Sequence, residues 1–303
     1  MTLIVICGAT ATGKSDLAVA LAKELRGHII NADSMQLYKG MDIGTAKLTV
    51  EERQGIPHHL IDVLSVREEA SVAQYQVDAR SIIDQLLEKS IPAIVVGGTG
   101  LYIKSILDDL NFPDTDPEVR EKIAKQADEL GADVMHERLT KLDPAAAAAI
   151  PKENVRRVVR ALEVIELTGR PYTANLPRAG STRYPQARQF GLVMERETLQ
   201  ERIDLRVDRM WDQGLVREVR DLMNEGLLEG RTAQAALGYA QVIKFAQGLM
   251  TEEEAKEETK RTTRQYARRQ ETWFSRDERI TWIKKAPVEQ LVETIISSTM
   301  SGA

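Results

Sequence analysis

The sequence contains one cysteine, Cys7, and only four histidines among its 303 residues. A single thiol cannot form a disulfide within the chain, so a disulfide-stapled fold is excluded, and the composition fits a reducing cytoplasm. Two of the histidines are the adjacent pair His58-His59, whose side chains would point to opposite faces of a strand. The sequence therefore offers no zinc constellation, and we expect a structural role for this pair.

Long apolar runs and an excess of positive charge are also absent. No stretch approaches the roughly 18 apolar residues of a transmembrane helix, so we expect no membrane partner. No basic segment precedes the first apolar stretch, so we expect no signal peptide. The net charge is −5, and any binding of nucleic acid must therefore come from local basic patches. The 43% hydrophobic and 29% charged residues are typical of a globular protein, and the length predicts about two domains.

The first third of the chain alternates between short β-branched runs and longer amphipathic stretches. The strand candidates are Leu3–Cys7, His28–Ile30, Leu60–Val63 and Ala93–Val96, and the helix candidates between them are Lys14–Arg26 and Val72–Glu88. The first and last of these strands are continuous apolar runs, as in parallel strands that are buried on both faces. The alternation predicts an α/β fold, with a P-loop NTPase-like parallel sheet and helices on both faces.

This alternation stops at the segment NFPDTDP, residues 111–117. Helical patterns follow at Glu118–Glu129, Asp133–Leu142 and Asn154–Leu167, and then a turn-rich stretch at Thr168–Ala187. Strand character returns at Gln189–Met194 and Ile280–Ile283, with helical patterns between them. We therefore predict a P-loop α/β core made of residues 1–112 and 188–303, and a small all-helical insertion domain at residues 113–187.

The stretch GATATGKS matches the phosphate-cradling pattern G-x-x-x-x-G-K-[ST]. It follows a predicted strand and opens a predicted helix, which is the context that this pattern requires. Gly8 and Gly13 let backbone N–H groups converge on an anion, Lys14 supplies a positive charge, and the Ser15 hydroxyl suits Mg²⁺. The candidate phosphate-binding residues are Gly8, Ala9, Thr10, Ala11, Thr12, Gly13, Lys14 and Ser15.

The loop alone does not identify its phosphate ligand. P-loop ATPases hold Mg²⁺ with an acid that follows a second apolar strand, but here AIVVGGTGLY ends in glycines and Thr99. The acid instead follows the predicted second strand, as Asp33 in NADSMQLY, which resembles the layout of small-molecule kinases. The alternative reading of Asp33 is a helix or turn cap beside Ser34. At this point ATP stays open as the ligand of the loop.

Several separated stretches together resemble the bacterial tRNA dimethylallyltransferases, which are also called tRNA isopentenyltransferases. They are GATATGKS, NADSMQLYKGMDIGTAK, PHHLIDV, VVGGTGLYI, NVRRVVRALEV, ALGYAQ and TRQYARRQETWF, and they run in order from Met1 to about Lys285. In that family a dimethylallyl group passes from its diphosphate to N6 of the adenine 3′ to the anticodon (position 37), and diphosphate is released. The resemblance implies Mg²⁺ as cofactor, the anticodon loop of tRNA and dimethylallyl diphosphate as substrates, and a cytoplasmic monomer.

The resemblance also assigns catalytic roles. Asp33 would remove a proton from N6 while the carbon–nitrogen bond forms, and Thr10 would contact the diphosphate. In LQERIDLRVDRMW it favours Arg206 over Arg202 and Arg209 as the arginine of the diphosphate site. These roles suit the chemistry, because a leaving diphosphate gains charge that Lys14, Mg²⁺ and an arginine stabilise electrostatically.

For tRNA the resemblance points to three segments and two single positions. The residues are Asp33, Ser34, Met35 and Gln36; Thr99; Arg120; Arg156, Arg157, Val158, Val159 and Arg160; and Gly238 and Tyr239. Gln36 could hydrogen-bond a base edge, and Tyr239 would offer an aromatic surface. A further basic stripe at four-residue spacing contains Lys256, Lys260, Arg264 and Arg268, and it is either a solvated helix face or a surface that tracks RNA phosphates.

Three other functions remain open at the level of the sequence. One is a P-loop kinase of a small metabolite, with ATP in the loop and Asp33 as base for a hydroxyl. A second is prenyl transfer to free adenine nucleotides instead of tRNA. A third is a non-catalytic RNA-binding module, which would have no use for both Lys14 and Asp33.

Overall fold

The computed structural model describes residues 2–175 and 182–300. The chain divides into two compact units, one made of Met1–Leu107 with Tyr184–Ala303 and the other of Asp108–Arg183. Part of the predicted turn-rich stretch, residues 176–181, lies outside the described residues.

The larger unit contains a six-stranded, fully parallel sheet in the order β3-β2-β4-β1-β5-β6. The strands are β1 (Leu3–Gly8), β2 (His28–Asn31), β3 (His58–His59), β4 (Ala93–Val96), β5 (Arg188–Val193) and β6 (Ile280–Lys284). The helices of the described chain are α1 (Lys14–Leu25), α2 (Val72–Glu88), α3 (Gly100–Leu107), α4 (Pro117–Leu130), α5 (Ala132–Leu142), α6 (Pro144–Ala149), α7 (Val155–Thr168), α8 (Arg196–Asp212), α9 (Leu215–Asn224), α10 (Tyr239–Ala246), α11 (Glu252–Phe274) and α12 (Val288–Met300).

The central strand β1 separates two apolar cores, because alternate residues of a strand point to opposite faces of the sheet. Val5 belongs to a core that includes Ile83 of α2. Ile4 belongs to the other core, which includes Leu17 of α1. Helices therefore cover both faces, and the predicted P-loop NTPase-like α/β fold is confirmed.

One predicted strand is wrong. The segment Leu60–Val63 does not extend, and the short strand there is β3 at His58–His59. Leu60 and Asp62 both have left-handed φ values, 59° and 58°, so the chain turns twice within four residues. The β-branched residues of this segment favour a strand, but the turn that follows β3 prevents the chain from extending there.

The smaller unit is built from helices α4 to α7 around its own core. Asp116 caps α4 ahead of Pro117, and Asn154 caps α7, as the preference of short polar side chains for helix starts predicts. Gly169, with φ 64°, ends α7. The buried core residues include Ile123, Met135, Leu139, Val158 and Leu162.

Within residues 2–175 and 182–300, every helix falls short of the length or the hydropathy that a membrane span needs.

Candidate active site

The phosphate loop joins the carboxyl end of β1 to the first turn of α1. Gly8 has φ 131°, and a Cβ there would lie 2.8 Å from the carbonyl oxygen of Leu192. Gly13 has φ 92° at the N-cap of α1 and leaves the first helical N–H groups without a side-chain cap. Uncapped N–H groups at a helix start attract anions, so the loop has the geometry of a phosphate site.

Lys14 points back into this loop. Its Nζ donates a hydrogen bond to the carbonyl oxygen of Ala9 at 2.5 Å. Burial and the nearby Arg206 guanidinium lower the pKa of Lys14 to about 8, while Asp33 acts in the opposite direction. A bound anion would supply negative charge next to this partly buried ammonium group.

Two of the three candidate arginines of α8, Arg202 and Arg206, donate hydrogen bonds to the phosphate loop. Arg206 contacts the side chain of Thr10. Nη1 donates to Oγ1 of Thr10 at 3.1 Å, and Nη2 donates to the carbonyl oxygen of Thr45 at 3.3 Å. Burial lowers the pKa of Arg206, and the carboxylate of Asp33 opposes that shift. Arg202 is exposed, and its Nε donates to the carbonyl oxygen of Ala11 in the same loop at 2.9 Å. Arg209 is exposed.

Asp33 follows β2 and lies at the start of a short 3-10 helix, Ser34–Leu37. Its Oδ1 accepts a hydrogen bond from the backbone N–H of Met35 at 3.0 Å, and its own N–H donates to Oδ1 of Asn31 at 2.9 Å. Oδ2 has no hydrogen-bond partner among the described residues. The two sequence-based interpretations of Asp33 are therefore compatible, because one oxygen caps the helix and the other is free to accept a proton.

These groups meet in one cavity of the larger unit. It is lined by the polar residues Thr10, Lys14, Ser15, Asn31, Asp33, Gln36, Thr45, His58, Arg206 and Gln270, and by Ala18, Ile29, Ala46, Leu48, Ile61, Val96, Gly97 and Gly98. Cationic groups and the phosphate loop lie in the same cavity as a carboxylate and an apolar wall. A ligand with an anionic head and a small apolar group fits this combination.

The residues of the cavity also fit Mg²⁺. Ser15 lies in the first turn of α1, and its hydroxyl shares the cavity with the carboxylate of Asp33. Such hard oxygen donors suit a magnesium ion that keeps waters and takes phosphate oxygens. Groups of three or more His, Cys, Asp or Glu side chains able to hold a metal are absent from the described part of the chain. A bound Mg²⁺ would therefore take most of its ligands from waters and from phosphate oxygens.

Gln270 of α11 is a site residue that sequence reasoning missed. Its Oε1 accepts from the backbone N–H of Thr10 at 2.8 Å, and its Nε2 donates to the carbonyl oxygen of Gly98 at 2.9 Å. A partial signal existed in the glycines after β4, since a Cβ on Gly98 would lie 2.1 Å from Nε2 of Gln270. A glycine at position 98 indicates that another group packs closely against the backbone, but the sequence does not indicate which residue supplies that group.

The segment after β4 meets the segment after β2. Oγ1 of Thr99 accepts from the backbone N–H of Ser34 at 3.1 Å, and the N–H of Thr99 donates to the carbonyl oxygen of Ala32 at 3.1 Å. The partly buried Met35 packs against a neighbouring core. Nε2 of Gln36 donates to the carbonyl oxygen of Thr45 at 3.1 Å. The structure thus brings together Ser34, Met35, Gln36 and Thr99, which the resemblance assigns to tRNA.

Gly238 and Tyr239 lie at the start of α10. Gly238 has φ 85°, and its N–H donates to Oε1 of Gln241 at 2.9 Å. The predicted aromatic surface of Tyr239 is wrong, because the ring is fully buried and its hydroxyl donates to Oε1 of Glu218 at 2.5 Å.

In the smaller unit, two of the predicted RNA-binding arginines are paired. Glu163 is fully buried, and its Oε2 lies 2.9 Å from Nε of Arg120 and 3.1 Å from Nη1 of Arg160. The side chains of Val158 and Val159 are buried, so they are not available to RNA. The exposed cations of this segment are Arg156 and Arg157, which form no ion pair within the described residues.

The basic stripe on α11 does not form a free phosphate-tracking surface. Nζ of Lys256 and Nζ of Lys260 each lie 2.9 Å from Oδ1 of Asp208 on α8. Arg264 pairs with Asp204 on the same helix. The four-residue spacing does place these cations on one face of α11. That face packs against the acidic side chains of α8. Of the four cations, Arg268 is the exposed one.

The histidine pair sits on β3 at the edge of the sheet. His59 hydrogen-bonds His28 through a 3.0 Å contact between ring nitrogens, and His58 contacts the carbonyl oxygen of Ile56 at 2.7 Å. Burial lowers the pKa of all three rings.

Comparison with known proteins points to one family. The family model described as IPP transferase matches residues 36–277. A tRNA dimethylallyltransferase from Thermobifida fusca is 58% identical over 287 residues, which cover 93% of this chain and 89% of the relative. One from Streptomyces griseus is 56% identical over 281 residues, with the same shares of 93% and 89%.

Solved structures agree with this similarity. The full-length tRNA isopentenylpyrophosphate transferase from Bacillus halodurans has a TM-score of 0.72 and 38% identity, and the match covers 99% of this chain and 97% of that one. A eukaryotic dimethylallyltransferase acting on tRNA has a TM-score of 0.81 and 28% identity, over 95% of this chain and 75% of that one.

Proposed function

The chain belongs to the IPP transferase family, and on that premise we propose that it transfers a dimethylallyl group from dimethylallyl diphosphate to N6 of the tRNA adenine at position 37. The observation that carries the proposal is the cavity in which Lys14, Arg206 and the phosphate loop face the carboxylate of Asp33 beside an apolar wall. Relatives at 58% and 56% identity are named tRNA dimethylallyltransferases, which supports the same reaction for this chain.

The diphosphate would lie on the N–H groups of the phosphate loop. Lys14, Thr10 and Arg206 would hold its oxygens and stabilise the charge that develops as the bond from C1 to oxygen breaks. Mg²⁺ held at Ser15 would offset further charge on the leaving group. These groups favour the departing diphosphate more than the bound donor, which is what accelerates the transfer.

The acceptor would approach from the side of Asp33. N6 of adenine is a poor nucleophile, because its lone pair is delocalised into the ring. As the bond from N6 to C1 forms, Oδ2 of Asp33 would take the N6 proton, while the electron pair of the broken bond leaves with the diphosphate. General-base assistance of this kind is typically worth about 10²–10⁴-fold.

The target adenine must leave the anticodon stack to reach a cavity. Gln36 and Thr99 lie beside Asp33 and would contact the flipped base or its neighbour. Arg156 and Arg157 would contact RNA phosphates from the smaller unit. We also propose that the protein acts as a monomer in the cytoplasm. Cys7 is a buried free thiol, and its burial raises its pKa to about 12.

One assay tests the proposal. The chain is incubated with dimethylallyl diphosphate or ATP, and with tRNA or AMP, and the mass of each acceptor is measured. We expect tRNA to gain the mass of one prenyl group at an adenine next to the anticodon. Release of ADP without prenylation would favour a kinase, and prenylated AMP with unmodified tRNA would favour a nucleotide prenyltransferase.

A further inference from the structure

A loop beside the phosphate site contacts one of the cations of that site. Nη2 of Arg206 donates to the carbonyl oxygen of Thr45, and Nε2 of Gln36 donates to the same oxygen, at 3.3 and 3.1 Å. This carbonyl therefore orients the guanidinium group that also contacts Thr10. The position of the Thr45 carbonyl depends on the loop before it, residues 42–44.

The backbone of this loop converges on one carboxylate. Oε2 of Glu218 on α9 accepts from the N–H groups of Asp42 at 3.2 Å and Ile43 at 2.8 Å. Oε1 accepts from the N–H of Gly44 at 3.3 Å. Three successive N–H groups that point at one centre form an anion-binding concavity, and here the anion is a side chain of the protein itself.

A fourth hydrogen bond fixes the carboxylate. The hydroxyl of Tyr239 donates to Oε1 of Glu218 at 2.5 Å. Burial and the adjacent carboxylate raise the pKa of Tyr239, so the phenol stays protonated and remains a donor. The loop also packs directly on this ring, since a Cβ on Gly44 would lie 2.4 Å from Cε2 of Tyr239.

We infer that Glu218 is a positioning residue of the transfer reaction, which holds loop 42–45 so that the Thr45 carbonyl aims Arg206 at the diphosphate of the donor. The carboxylate does not touch the donor, and it acts through the chain from loop to carbonyl to guanidinium. Charge-assisted hydrogen bonds are stronger and shorter than neutral ones, which suits a contact that must keep a catalytic arginine in register.

The test compares Glu218→Gln with Asp221→Asn. Asp221 lies on the same helix, is exposed and pairs with Arg217, so its substitution is a matched loss of one carboxylate charge. Affinity for inorganic pyrophosphate with Mg²⁺ is measured by calorimetry on the full chain, together with the melting temperature. Glutamine keeps the shape but turns an NH₂ group toward backbone N–H groups. We expect about tenfold weaker pyrophosphate binding for Glu218→Gln and a change below about twofold for Asp221→Asn.

A double-mutant cycle separates positioning from a purely structural role, which would lower only the melting temperature. If Glu218 acts through Arg206, Glu218→Gln causes no further loss of pyrophosphate affinity in an Arg206→Ala background. Unchanged affinity in the single variant, or an equal loss in both backgrounds, overturns the inference.

A second variant covers the case in which Glu218→Gln does not fold. Tyr239→Phe keeps the ring and removes one of the hydrogen bonds to the carboxylate. We expect about two- to threefold weaker pyrophosphate binding, because the variant removes one of the four hydrogen bonds to the carboxylate and leaves the three from the loop backbone in place. Wild-type affinity in this variant would overturn the inference.

The inference rests on the proposed function for the identity of the donor, and the two can fail separately. If the wild-type chain binds pyrophosphate but does not prenylate tRNA, the proposed function fails while the role of Glu218 in orienting Arg206 is still measured. If Glu218→Gln prenylates tRNA with the wild-type KM for dimethylallyl diphosphate, the inference fails and the function stands.

Discussion

The side-chain oxygen of Gln270 accepts a hydrogen bond from the backbone N–H of Thr10 at 2.8 Å, across 260 residues of sequence. The same amide donates to the carbonyl oxygen of Gly98. Gln270 is 5% exposed, so water cannot take over its contacts when the amide is removed. One buried side chain therefore ties the phosphate loop to the segment that follows β4.

The first prediction concerns this amide. Gln270→Leu leaves the N–H of Thr10 and the carbonyl of Gly98 without partners. We expect the free energy of unfolding to fall by about 1–3 kcal/mol, because a buried polar group without a partner keeps its desolvation penalty. Urea unfolding measures it, and Gln265→Leu, at an exposed position of the same helix, is the control. Equal stability of the two variants would show that the contact is dispensable.

The second prediction concerns Asp33. Asp33→Asn keeps an oxygen that can cap the 3-10 helix through Met35, but it removes the carboxylate that we propose as the proton acceptor. We expect kcat to fall by about 10²–10⁴-fold while pyrophosphate affinity is retained. Single-turnover prenylation of tRNA measures the rate, and Asp16→Asn, an exposed carboxylate in the first turn of α1, is the matched control. Near-normal turnover of Asp33→Asn would rule out its role as the base.

The third prediction separates the arginines of α8. Arg206 uses two nitrogens of its planar group, one on Thr10 and one on Thr45, and lysine cannot reproduce that fork. We expect Arg206→Lys to lower kcat/KM for the donor by roughly tenfold or more. Arg209→Lys, at an exposed position one turn away, should leave it unchanged. A loss in Arg209→Lys of similar size would place the diphosphate arginine elsewhere.

The fourth prediction is a pH dependence. The pKa of Lys14 is lowered to about 8, so the side chain is charged below that pH and neutral above it. If Lys14 binds the donor diphosphate as we propose, the charged form is required, and kcat/KM for the donor should fall as the pH rises through about 8 in the free enzyme. Lys14→Arg stays charged and should lose this decline, whatever its absolute rate. A wild-type profile that is flat across this range would contradict the assignment.

The same shift has a consequence for stability. The pKa of Lys14 lies below its usual value of 10.5 in the folded chain, so the unfolded chain binds more protons between these two values. The contribution of Lys14 to the free energy of unfolding should therefore increase as the pH rises from about 8 to 10.5. Lys14→Met should remove this pH-dependent contribution.

The fifth prediction concerns RNA binding. Arg156 is exposed and unpaired within the described residues, whereas Lys256 is bound to Asp208. We expect Arg156→Ala to weaken tRNA binding and to reduce the slope of log K against log salt by about one. Lys256→Ala should leave that slope unchanged and lower the melting temperature instead. A reversed outcome would return the α11 stripe to the RNA-binding surface.

Sequence patterns predicted local structure well where the cause was local. The phosphate loop could be predicted because its glycines, Lys14 and Ser15 are contiguous and stand between a strand and a helix. Helix α2 has the predicted bounds, Val72–Glu88, because an amphipathic period and the cap at Ser71 define them. Leu60–Val63 failed because two left-handed residues interrupt a run that its β-branched composition suggested.

Partners across the fold could not be predicted from spacing. Lys256, Lys260 and Arg264 were placed correctly on one helical face, but the pattern did not reveal the acidic face of α8 opposite. Tyr239 looked like a surface aromatic, whereas its burial depends on Gly44 and Glu218 in other parts of the chain.

By itself the sequence determined the phosphate loop, the parallel α/β core, the helical insertion and the family resemblance. These features follow from hydrogen bonds, φ requirements and apolar periods that act over a few residues. Only the tertiary structure decided that Arg206 contacts Thr10, that Gln270 contacts the phosphate loop and that Glu218 accepts hydrogen bonds from the backbone of residues 42–44. Arg206 and Thr10 are 196 residues apart. Such contacts depend on how the sheet and helices pack, and they cannot be predicted from the spacing of residues along the sequence.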